Sequence, residues 1–318
     1  MMTLGWYNRA KWPAICAVAW LAMSFSPGIA VCGDLRIAVI TSQDTPPYQQ
    51  LATGFREFLK NEGVIADFDH YVLSGNAGKA SEVILDIKKQ PPRLILTIGT
   101  LATQTALREA GDIPVVAGLV SYLDDLRKSK NATGVVLDFP FVTQFEWMHK
   151  LMPEIKIIGV LYNRKENQAK IDAAVQAAKK EGLTLLPKEV ESPRALPDAL
   201  ESLARSIDLL WGMNDQLVLS PQTAEAILLF SFRSGVPFVG LSSSWVKAGA
   251  LYALDRDYND LGAQCGELAI KILRGTNPNT LVIVPPRRIL YSLNLKTANH
   301  MKLEFSPLII MNAQQVFP

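Results

Sequence analysis

Cysteine and histidine are scarce in this chain of 318 residues, with three of each. Cys16 falls in an N-terminal apolar run, which leaves Cys32 and Cys265; two cysteines make neither a disulfide framework nor a metal site. Cys265 sits in a helical pattern and reads as a small buried apolar residue. His70, His149 and His300 share no metal-ligand spacing, and none stands at the end of an expected strand. HExxH, G-x-S-x-G, Walker A and GxGxxG patterns are all missing, so no cofactor or metal is expected and an enzyme is disfavoured. Charge of one sign is also missing. Lys and Arg total 32 against 30 acids, and Arg9 and Lys11 lie in a first segment with no acid, so the rest is formally neutral. A chain with no basic excess has little to grip a phosphate backbone, and nucleic acid is not an expected partner. With 49% hydrophobic residues the chain can fill real cores, which excludes disorder.

A long hydrophobic run is lacking too. The apolar stretch Trp12–Phe25 follows Arg9 and Lys11 and is interrupted only by Pro13 and Ser24. At about fourteen residues it falls short of the ~20 needed to span a bilayer. It matches instead the core of a secretory signal peptide, with Pro27, Gly28 and Ala30 offering small residues for a cut after Ala30. The expectation is a leader over 1–30 and an exported protein, in the periplasm or on the outer face of the cytoplasmic membrane; an uncleaved anchor is the competing reading. Cys32, in Ile29-Ala30-Val31-Cys32-Gly33, resembles a lipobox cysteine and is a lipidation candidate, although Val31 departs from the small residue usual before it.

From Leu35 onward, β-branched runs alternate with amphipathic stretches. Strands are expected at 35–40, 68–73, 94–98 and 114–119, with helices at 46–61, 79–89 and 103–110 between them. The same grammar restarts at 155–162 and continues through helices at 167–181, 197–206 and 221–234 and strands at 184–190, 207–213 and 237–241. A last helix spans 258–273. Strand–helix–strand steps cross over right-handedly, which makes the strands parallel with helices on both faces. The fold class is therefore α/β, with two doubly wound parallel-sheet lobes joined by extended hinge strands. The N-terminal lobe takes 33–135 with part of 257–290 returning to it. The C-terminal lobe takes 136–256 with part of 288–305, and 306–318 is a tail without an assigned role.

In open parallel sheets ligands bind beyond the carboxyl ends of the strands. In the first lobe those loops hold Ser42, Asp44, Thr45 and Tyr48, then Thr100, Leu101 and Ala102, then Ser121 and Tyr122. In the second they hold Tyr162, Glu166 and Asn167, then Asn214 and Asp215, then Ser243 and Trp245. Hydroxyl residues before a helix suit a carboxylate, although the same residues serve as ordinary N-caps. Asn214 and Asp215, with Glu166, could hold a cation such as an α-ammonium group, while Glu166 also reads as first-turn helix charge. Tyr48, Tyr122 and Trp245 could wall the ligand; Trp211, inside a strand, reads as core.

Several short stretches together resemble a known family, the solute-binding proteins of ABC transporters related to the tryptophan/tyrosine-binding type. They are Gly54-Phe55, Asn131-Ala132-Thr133-Gly134-Val135, Leu151-Met152-Pro153, Ile158–Asn163 with Glu166-Asn167, Asn214-Asp215, Gly249-Ala250, Asp257–Gly262 and Ile272–Gly275. The resemblance runs from about Leu35 to Phe305. It implies a type I periplasmic-binding fold that closes on an amino acid, aromatic ones included, or a similar solute. The loaded protein, a monomer, then hands its cargo to an inner-membrane permease. Ser121–Asp124 stands where the family tends to have Thr-Asp-Pro, and Pro46-Pro47-Tyr48 is also unusual. Alternatives are a sensory protein of the same fold, an enzyme on a doubly wound scaffold, and a regulator's effector domain.

Overall fold

A computed structural model describes residues 35–121 and 123–318. The expected leader, Cys32 and Tyr122 lie outside the described residues. The first half of the chain builds strands β1 (Arg36–Thr41), β2 (Asp67–Val72), β3 (Leu94–Ile98), β4 (Val115–Val120) and β5 (Ala132–Val136). Between them run helices α1 (Pro46–Asn61), α2 (Ala77–Lys89), α3 (Thr100–Glu109) and α4 (Leu123–Lys128). The strands form one five-stranded sheet in the order β2-β1-β3-β4-β5, every pair parallel. Successive side chains point to opposite faces of a strand. Ile37 and Val39 accordingly join the core under α1, while Ala38 and Ile40 join the core under α2 and α3. Both faces are covered, as a parallel sheet requires.

The second half supplies α5 (Phe141–Leu151), β6 (Ile157–Tyr162), α6 (Arg164–Lys180), β7 (Thr184–Glu189), α7 (Leu196–Leu203), β8 (Leu209–Trp211), α8 (Ala224–Ser234), β9 (Phe238–Gly240), α9 (Ser243–Ala248) and β10 (Tyr252–Arg256). The chain then returns to the first lobe as α10 (Tyr258–Leu273). It comes back once more as β11 (Ile289–Asn294), α11 (Leu295–His300), α12 (Pro307–Met311) and β12 (Gln315–Phe317). This second sheet has the order β12-β11-β10-β9-β8-β6-β7. It is not wholly parallel: β11 runs antiparallel to β10. The tail, left without a role by the sequence, holds α12 and ends in the edge strand β12, which pairs parallel with β11. No helix among the described residues is long and apolar enough to cross a membrane.

Helix α10 completes the first lobe by lying directly on α1. A Cβ on Gly54 would collide with the Asn259 backbone, and one on Gly262 with the Leu51 carbonyl. Two glycines facing backbone let the helices approach closely, and Phe55, Leu59, Leu261 and Leu268 seal the seam.

Three crossovers join the lobes, and polar contacts fasten each one. Arg256 Nε donates to the Leu137 carbonyl at 2.7 Å, tying the second crossover to the first. Arg288 pairs with Asp257 at 2.8 Å, and Arg287 with Asp260 and Glu267, tying the third to α10. The third crossover also lies along β5, through Val136 N–H to the Val284 carbonyl at 3.0 Å.

Candidate functional site

The two lobes enclose a cavity of about 660 Å³ beside the crossovers, within the ~300–1,000 Å³ of small-molecule sites. The first lobe contributes Ser121 at the end of β4, Arg127 of α4 and Val136-Leu137 at the end of β5. Backbone shape places Ser121 here. The β4–β5 register slips between Ala117 and Val120, and Leu119 takes a left-handed φ of 55°. A bulge of this kind re-aims the residues that follow it, and a buried leucine with positive φ is a strained one.

The second lobe supplies most of the apolar wall. Trp211 and Met213 close β8, Val239 and Leu241 flank the end of β9, and Tyr252 and Leu254 come from β10. Phe139, Phe141 and Met148 cover them from the first crossover and α5. Phe141 meets the Trp211 ring edge-on at 5.8 Å between centroids, and Phe145 meets it from behind at 5.4 Å. The indole N–H donates to Gln144 Oε1 at 3.2 Å, and Gln144 Nε2 donates to the Phe139 carbonyl at 2.9 Å. Trp211 is thereby locked as a flat wall. Burial pushes the Tyr252 phenol far above its ordinary value, so it stays neutral.

Charged groups stand among these walls: Arg127, Asp138, Lys170 and Arg256. The Arg256 guanidinium is occupied by the Leu137 carbonyl and by the Phe139 ring, 4.9 Å away. Asp138 is half-buried. Burial raises its carboxyl above the usual carboxylate range, and this outweighs the opposing pull of Arg256 and Lys170. It makes no hydrogen bond or ion pair with any described residue.

Residues 36–317 match the family described as ABC transporter substrate binding protein. The chain belongs to that family. Among similar proteins, a tyrosine-binding protein of Clostridioides difficile (strain R20291) is 30% identical over 207 residues, 62% of this chain. The match spans 58% of that relative's length. An uncharacterised Rickettsia prowazekii protein is 22% identical over 286 residues, covering 84% of this chain and 86% of its own. A ligand-free, open substrate-binding protein with adhesive properties from Clostridium difficile superposes with a TM-score of 0.75 at 23% identity. That superposition covers 89% of this chain and 99% of the other. A domain from Streptococcus pneumonia in complex with L-Trp gives a TM-score of 0.61 at 22% identity, covering 90% and 100%. At these identities the superpositions establish the shared two-lobed fold.

Within this member of the family, the residues expected at strand-end loops divide sharply. Ser121 and Asn214 line the cavity. The others among the described residues do not. Ser42 is buried, and its Oγ accepts the Ala102 N–H at 3.0 Å, so both belong to the β1–α3 junction. Thr100 and Leu101 form the first turn of α3, and Tyr48 packs into the core under α1. Asp44 is exposed and accepts from Gln49 at 2.9 Å, and Thr45 precedes α1 with no side-chain cap bond.

Asp215, expected to face an ammonium group, is spent inside the second lobe. It is 1% exposed. Its Oδ2 accepts the Asn163 N–H at 2.6 Å and Asn167 Nδ2 at 2.8 Å. Its Oδ1 accepts the Leu217 and Val218 N–H groups at 3.0 and 2.9 Å. Asn167 is wholly buried in the same cluster, and Glu166 accepts the Gln216 N–H at 3.1 Å from outside. Tyr162 donates its O–H to Gln168 at 3.1 Å. Ser243 and Trp245 belong to α9 rather than to a loop, and Trp245 packs edge-on against Phe238 at 5.6 Å.

The sequence reading missed Asp138, Phe139, Phe141, Arg127, Lys170 and Arg256. Trp211, read as core, is both core and cavity wall. A signal was present in Asp138-Phe139-Pro140-Phe141, an acid beside aromatics.

Proposed function

We propose that the protein captures a small solute with an aromatic or bulky apolar body, of the amino-acid class, by closing its lobes around the cavity, and that it works outside the cytoplasm as the binding component of an ABC transporter. The carrying observation is the cavity itself. Locked Trp211, Phe139, Phe141 and Tyr252 present ring and edge surfaces, while Ser121, Asn214 and the charged groups offer a few polar anchors. Sites of this make-up bury an apolar body and orient it by sparse polar contacts. The tyrosine-binding relative and the L-Trp complex of the same fold support the same solute class.

The solute touches both lobes only in the closed form, and this differential contact shifts the open–closed equilibrium. We read the chain as a binder that leaves its solute unchanged, with an inner-membrane permease as its partner. Isothermal titration and thermal shift of residues 35–318 against L-tyrosine, L-tryptophan and L-phenylalanine test the reading. At a hundredfold excess over Kd, binding stabilises by ~2.7 kcal/mol, a plain rise in Tm. A flat response to all three amino acids overturns it.

A further inference from the structure

We infer that Asp138 is the residue that receives the solute's cationic group, so that the cavity selects a primary ammonium and distinguishes an α-amino acid from the same molecule without its amine. The inference rests on the aromatic amino-acid reading above and names the residue that would enforce it.

Asp138 lies in the first crossover, between β5 and α5, and lines the cavity with residues of both lobes. Several other acids near the crossovers and strand ends hold donors. Asp208 accepts the Lys156 and Ile157 N–H groups, each at 2.8 Å. Asp257 caps α10 through the Asp260 N–H at 3.1 Å and pairs with Arg288. Asp215 takes four donors. Asp138 is buried enough for its ionisation to be disfavoured, yet no described residue bonds to it.

A partly desolvated carboxylate without a protein partner is costly. An arriving ammonium would remove that cost, and the interaction would be strengthened by the same low dielectric. One cationic competitor, Arg256, is already held by the Leu137 carbonyl and stacked on Phe139. Arg127 and Lys170 stand at the same cavity and suit the carboxylate end of a zwitterion. Phe139, beside Asp138 in sequence, and Trp211 would then take the side chain.

The test compares two probe pairs by calorimetry on wild type, Asp138→Asn and Asp138→Glu: L-tryptophan with indole-3-propionate, and L-tyrosine with 3-(4-hydroxyphenyl)propionate. In wild type, loss of the amine should weaken binding by about 30-fold or more. Asp138→Asn should weaken the amino acid by a similar factor while leaving its desamino partner within threefold, and Asp138→Glu should restore part of the loss. Asp138→Asn that binds the amino acid within twofold of wild type overturns the inference. So does an equal loss of both members of a pair, which marks a structural role. A desamino acid that wild type binds as well as its parent overturns this inference alone. Failure of wild type to bind any of the four probes overturns the aromatic amino-acid reading, and this inference with it. The Tm of unliganded Asp138→Asn, expected at or above that of wild type, confirms that the variant is folded.

Discussion

The loop after β8 and the first crossover each present an aspartate near the space between the lobes, and the two are opposites. Asp215 accepts four protein hydrogen bonds, two per oxygen, and is almost completely shielded. Asp138 accepts none from the described residues although burial raises its carboxyl. Buried polar groups that hold a structure together are satisfied within it. A half-buried carboxylate that faces a cavity with no protein donor is left to whatever enters that cavity. The contrast therefore separates a group that builds the lobe from a group that waits for a ligand, and saturation rather than residue type draws the line.

The contrast breaks most visibly at Asp215. Asp215→Ala strands the N–H groups of Asn163, Leu217 and Val218 and the Asn167 amide. It should cost about 3–5 kcal/mol in urea unfolding. Affinity for the solute should change little at temperatures where the variant is folded. A large affinity loss with unchanged stability would reverse the roles of the two aspartates. Ser42→Ala is a smaller version of the same test in the first lobe. It removes the acceptor of the Ala102 N–H and should cost about 1–2 kcal/mol of stability, again without a specific effect on binding.

Asp138 should give the smallest stability effect, with the opposite sign. Because folding raises this carboxyl, the folded protein holds a proton across a pH window in which the unfolded chain has already lost it. Stability from this group therefore falls as pH rises through that window. Asp138→Asn should remove the dependence and raise the unliganded Tm by about 1–3 °C at pH 7, measured by differential scanning calorimetry. Amino-acid affinity should run the other way, falling as pH is lowered through the raised Asp138 value, since an ammonium needs the ionised form. The other charged groups at the cavity are Arg127, Lys170 and Arg256.

Much of the fold was legible because its signals are local. Helix α1 begins at Pro46-Pro47 and runs up to Asn61, just before Gly63, and α10 starts beneath the Asp257 cap and ends before Gly275. The expected ranges 46–61 and 258–273 coincide with these two helices. The short α9 offers too few residues for periodicity to show, so Ser243 and Trp245 were placed in a loop. The tail escaped because β12 takes its meaning from β11, a pairing set by tertiary structure rather than by its own three residues. The site was the least legible part. Strand-end loops are a sound rule for open sheets, but this cavity is bounded as much by the crossovers and by the sheet face at Tyr252 and Leu254. Whether an aspartate such as Asp215 is spent or free depends on donors far along the chain, and no spacing encodes that.

The glycine seam between α1 and α10 has a consequence for the order in which the protein takes shape. The half that is synthesised first contains an empty seat, and its occupant lies some two hundred positions downstream, past most of the other half. The early sheet must therefore wait, one apolar flank uncovered, until Tyr258–Leu273 arrives. A fragment ended at Arg256 would expose that flank and should aggregate rather than stand alone. The second half in turn gains its last strands, β11 and β12, only after that helix, so neither half is complete before the final stretch of chain has emerged.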